Sequence, residues 1–108
     1  MNTPKNHAAD YAIELARSLE ARLGPGTGGE LDILEDVLEL IADTNGKLTV
    51  VLTIGGPHAE LILGAGSPRL EVWWGGKHAT ELVNLDDDLV DTFLTTWYRA
   101  TMEAALRR

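Results

Sequence analysis

Between Glu30 and Asp43 the apolar side chains of ELDILEDVLELIAD recur with the period of a helix. Leu31, Ile33, Leu34, Val37, Leu38, Leu40, Ile41 and Ala42 fill one wide arc, and Asp32, Glu35, Asp36, Glu39 and Asp43 fill the rest. The spacing predicts an amphipathic helix with an acidic outer face. An earlier helix is predicted over 4–23: Thr3-Pro4 supplies a cap with proline at the first helical position, Ala8, Ala12, Leu15, Leu19 and Leu23 form the inner stripe, and Gly24-Pro25 ends it.

From Lys47 the period drops to two. Leu48, Val50, Leu52 and Ile54 alternate with Thr49, Val51 and Thr53, which predicts a strand with one buried face. Gly55-Gly56-Pro57 turns the chain into a second strand, His58–Leu63, and the 64–68 turn leads to a third, Arg69–Trp74. Gly75-Gly76 marks a hairpin into Lys77–Val83. Asp86-Asp87-Asp88 opens a last helix, because carboxylates accept its orphan amides and complement the positive end of its dipole. The expected fold is therefore α+β: a three- to four-stranded antiparallel meander packed with two N-terminal helices and one C-terminal helix.

Composition narrows the setting. With 108 residues, 44% of them hydrophobic, the chain suits a single domain, 1–108, with one core. Cysteine is absent, which excludes disulfides and thiolate metal sites and fits a reducing compartment. The start lacks an apolar signal core and no run is long enough to span a bilayer, so a cytoplasmic location is expected.

The net charge of -8 is unevenly spread. Residues 24–46 carry Glu30, Asp32, Glu35, Asp36, Glu39 and Asp43 with no base, whereas 1–23 and 47–83 are each balanced. Such a surface repels phosphate backbones and anionic membranes, so neither direct nucleic-acid binding nor membrane binding is expected. It attracts the basic surface of a protein or ribonucleoprotein complex. On a helix, Asp32, Asp36, Glu39 and Asp43 would form one ridge with Glu35 beside it, resembling a line of phosphates; these five are the expected partner-binding residues. A solvated face that keeps the chain soluble is the plainer account of the same letters. Val51, Ile62 and Trp73 would line up on the far face of the sheet, where they form a second partner patch or a homodimer contact; burial between two layers is the equal alternative, although Trp73 and Trp74 point oppositely and cannot both face one core.

Other chemistry is thinly represented. The glycines of 24–29 follow a helix rather than a strand, and Glu30 and Asp32 contest any phosphate there. His58 with Glu60, and His78 with Glu81, fall short of the three or four convergent ligands of a closed metal site. Ser67 lacks the strand–turn–helix setting of a nucleophile elbow. No catalytic residue, cofactor or metal is expected.

Leu52-Thr53-Ile54-Gly55-Gly56-Pro57, followed by Trp73-Trp74-Gly75-Gly76 and Leu85-Asp86 before a terminal helix, is similar to small acidic proteins carried by phages and conjugative elements. The resemblance covers residues 48–94. It implies a non-enzymatic inhibitor of the anti-CRISPR or antirestriction kind, which blocks a nucleic-acid-handling host defence complex by binding it. The alternative expectation is a small accessory protein that dimerises through the apolar sheet face.

Overall fold

A computed structural model describes residues 7–25, 39–54 and 57–106. In chain order these hold α1 (His7–Leu23), β1 (Glu39–Ala42), β2 (Leu48–Thr53), β3 (His58–Leu63), β4 (Arg69–Trp74) and β5 (Lys77–Leu82). A C-terminal helix follows in three consecutive parts: α2 (Asp87–Thr92), a π-helical turn (Phe93–Trp97) and α3 (Tyr98–Leu106). The fold is α+β, and its sheet is an antiparallel meander of five strands in the order β1-β2-β3-β4-β5.

The extra strand is β1, and it corrects the expected helix. Glu39–Ala42 pairs with β2 from Glu39 opposite Val51 to Ala42 opposite Leu48. The cause is hairpin chemistry immediately downstream. The Asp43 carboxylate accepts from the Asn45 and Lys47 amides at 2.8 and 3.0 Å, and Gly46 takes φ +91°, so the chain reverses. Once reversed, Leu40 and Ala42 pack against the main core. Pairing and burial outweigh helical propensity over so short a stretch. The remainder of the expected acidic helix, 30–38, lies outside the described residues.

Alternation divides the sheet into two faces. Leu48, Val50, Leu61, Leu63 and Leu70 turn toward Ala16, Leu19 and Leu23 of α1 and toward Leu89 and Phe93 of the C-terminal helix. Ala59 and Val72 continue this helix-side face beneath Ala8 and Ala12. The alanines on α1 let its backbone sit close to the sheet. A β-bulge between Val51 and Thr53 then breaks the period, which leaves Ile54 exposed rather than on the buried face expected for it. Trp73 and Trp74 point to opposite faces. Trp74 meets Tyr11 edge-on, with ring centroids 5.6 Å apart, at the start of α1.

The end of β5 is stitched to α1 before the last helix begins. The Asn84 amide donates to the Glu20 carboxylate (2.8 Å), the Asp86 amide to the Leu23 carbonyl (2.8 Å), and Asp86 in turn caps the helix by accepting from the Leu89 amide. At the opposite end of the sheet, Tyr98 donates its hydroxyl to the Asp43 carbonyl, tying the C-terminal helix to the β1–β2 turn.

Two glycines in the β3–β4 turn allow a controlled comparison. Gly64 (φ +83°) and Gly66 (φ +85°) share a left-handed backbone, but a Cβ on Gly64 would meet the Gly46 carbonyl oxygen, whereas one on Gly66 meets open space. Gly66→Ala is expected to lower stability in urea by about 1–2 kcal/mol, the cost of the backbone conformation. Gly64→Ala should cost clearly more. Equal losses would remove the close approach of the two turns from the account.

Candidate functional site

The register places side chains from distant stretches in transverse rows on the far face, which is turned away from α1 and the C-terminal helix. One row reads Glu39 on β1, Val51 on β2, Glu60 on β3, Glu71 on β4 and Thr80 on β5. At the usual strand separation, the three glutamates lie within about 14 Å, with Glu60 and Glu71 directly opposed at roughly 5 Å. The adjoining row is His58, Trp73 and His78.

The two rows are cross-linked. His58 Nε2 lies 2.7 Å from a Glu60 carboxylate oxygen, and His78 Nε2 lies 3.4 Å from one of Glu71. Both imidazoles also contact the indole of Trp73: His78 stacks on it at 4.8 Å between centroids, and His58 meets it edge-on at 5.3 Å. Opposed like charges destabilise a sheet. Here each carboxylate has a ring nitrogen beside it, and the indole holds both rings in place. His58 and Glu60 come together as the two-residue spacing allows, whereas His78 pairs with Glu71 rather than Glu81, which faces Arg17 instead. Among the described residues, no group of three or more His, Asp or Glu is arranged to hold a metal ion.

Of the five sequence-predicted partner residues, Glu39 and Asp43 lie among the described residues. Asp32, Glu35 and Asp36 lie outside the described residues. Glu39 is exposed on β1 and shares its transverse row with Glu60 of β3 and Glu71 of β4. The Asp43 carboxylate accepts from the turn amides and so holds the β1–β2 turn. Of the apolar patch, all three members share the far face, but Val51 and Ile62 are only 3% and 2% exposed, against 39% for Trp73. Each sits on a central strand between two neighbours, Val51 between Glu39 and Glu60 and Ile62 between Thr49 and Arg69. Trp73 is thus the apolar member a partner could touch. Sequence reasoning did not bring Glu60 and Glu71 together in one row. The two-glycine hairpin at Gly75-Gly76 was the available signal, since it sets Trp73 opposite His78 and brings Glu71 beside it.

On the helix side, a cleft of about 520 Å³ runs past Arg17, Glu20, Ser67 and Glu81. Arg17 bonds Glu20 at 2.5 Å and reaches Glu81 at 3.9 Å, so these three charges are engaged with one another across α1 and β5. Ser67 lies in the exposed β3–β4 turn. No helix among the described residues is long and apolar enough to cross a membrane.

The Arg17 guanidinium and the Asn84 amide hold the Glu20 carboxyl below its ordinary range. A depressed carboxylate stabilises the fold above its unfolded value, about pH 4.3, and that contribution fades as pH falls through the lower folded value. Glu20→Gln should therefore be less stable than the parent at pH 7 and lose less on acidification below about pH 4, as read by urea melts at both pH values. Parallel pH profiles for the two proteins would remove Glu20 from the acid response. No protein-family model matches the chain, and comparison with curated proteins and with solved structures returned no match.

Proposed function

We propose that this chain is a non-enzymatic inhibitor that docks on a basic surface of a nucleic-acid-handling host defence complex, of the anti-CRISPR kind, and keeps nucleic acid from binding there. The observation that carries the reading is the anionic row Glu39, Glu60 and Glu71 with Trp73 beside it on one sheet face. Carboxylates at strand spacing offer a basic groove a set of anions on a rigid support, and an exposed indole supplies the kind of anchor that concentrates binding energy. Asp32, Glu35 and Asp36 precede Glu39 in the chain and add to its net negative charge. The action requires no cofactor and belongs in the cytoplasm of the host cell.

Inhibition of target-DNA binding by purified ribonucleoprotein effectors, followed by gel shift, tests the reading. Excess wild-type chain should suppress DNA binding by a susceptible effector, less so as salt rises. Glu60→Lys/Glu71→Lys, checked for folding by circular dichroism, should weaken suppression at least about tenfold, because reversed charges repel the groove they faced. Asp43→Asn should lower stability through the β1–β2 turn and weaken suppression less than the double charge reversal does. Suppression of equal strength by the Glu60→Lys/Glu71→Lys variant would overturn the proposal.

A further inference from the structure

The sheet has a second feature that the anionic row does not use. Among the described residues β1 is an edge strand, and the Asp43 amide to Lys47 carbonyl bond (3.0 Å) sets the phase of its ladder. Hydrogen-bonded pairs alternate in an antiparallel ladder, so Ile41 and Glu39 bond to β2 while Leu40 and Ala42 turn their amides and carbonyls to the open edge. A groove of about 510 Å³ lies between this strand and the C-terminal helix, walled by Trp97, Ala100, Thr101, Ala104 and Ala105. All four residues of β1 line it, although they point alternately to both faces. The groove therefore follows the strand's edge rather than lying over one face. Ile41, 47% exposed, stands at its mouth.

We infer that the open edge of β1 and this groove receive an extended, cation-flanked segment of a partner polypeptide, which adds a strand to the sheet. The backbone of Leu40 and Ala42 dictates the extended form, since donors and acceptors spaced as in a strand are matched by another strand. Four residues of β1 match roughly 14 Å of extended chain. The alanine wall admits the segment's apolar side chains close to the helix, and the π-helical turn at Phe93–Trp97 begins that wall. Charge selects the occupant: Glu39 lines the groove on a chain of net charge -8, which disfavours a second copy and favours lysine or arginine at the segment's ends. This inference does not rest on the inhibitor reading.

The probe is a synthetic peptide with a Val-Thr-Val-Thr centre and two lysines at each end, titrated into the isotope-labelled full chain and followed by NMR. The Leu40 and Ala42 amides should shift and exchange more slowly with solvent, and replacing the lysines by glutamates should weaken binding at least about tenfold. Ala104→Arg fills the groove from the exposed helix without touching β1 and should abolish binding. Ala42→Pro removes one outward donor while leaving the bonds to β2 intact, and should do the same. Unchanged amides at saturating peptide, protection at β5 instead, or full binding by Ala104→Arg would each overturn the proposal. So would a dimer of the unliganded chain, detected by sedimentation, that protects the same two amides.

Discussion

The fold depends on a single register. Leu48, Val50, Leu61, Leu63, Leu70 and Val72 must all face the helices, and because strand side chains alternate with a period of two, a slip of one residue would turn that set outward. Burying a leucine contributes on the order of 2 kcal/mol, while a domain of this size is stable by only about 5–15 kcal/mol overall, so no slipped arrangement competes. Whatever stands between these residues in the sequence is then committed to the far face. Glu39, Glu60, Glu71, Trp73 and His78 occupy that face as a consequence of core packing.

That placement has a cost. Like charges directly opposite one another on neighbouring strands are destabilising, by less where solvent and salt screen them. Glu60 and Glu71 are half-buried, so screening is incomplete. The neighbouring imidazoles offset part of the repulsion through the contacts of His58 with Glu60 and His78 with Glu71. Stability alone would be better served by a lysine in one of the two positions. An opposed acidic pair on a sheet face is thus the kind of local conflict expected where a surface is shaped by what it contacts.

Much of the architecture was legible in the sequence because its signals are local. The alanine and leucine stripe of α1, the glycine turns that delimit β3, β4 and β5, and the capping carboxylate of Asp86 each act within a few residues. β1 escaped because a helical period and a strand alternation agree over four residues. Glu39-Leu40-Ile41-Ala42 satisfies both, and only Asp43, Asn45 and Gly46 beyond it decide for the hairpin. The anionic row escaped for a different reason. Its members lie 11 to 32 residues apart in the chain, and their alignment is a product of three strand registers and a bulge. Val51 and Ile62 are legible as far-face residues, but alternation alone does not say that both are buried.

Glu39 belongs to both surfaces, as the end of the anionic row and as a wall of the edge groove. Its position is set by the β1–β2 hairpin, which is anchored at three points: the Asp43 carboxylate on the turn amides, the Tyr98 hydroxyl on the Asp43 carbonyl, and the close contact of Gly46 with Gly64. A four-residue edge strand buries little by itself, so these anchors decide whether it holds its register. Tyr98 follows directly after the π-helical turn, whose wider winding shifts the residues beyond it around the helix relative to an unbroken α-helix. The turn in the last helix and the hairpin at the first strand are therefore one mechanical unit. Loosening either end moves Glu39 relative to Glu60, and with it the spacing that any basic partner would have to match.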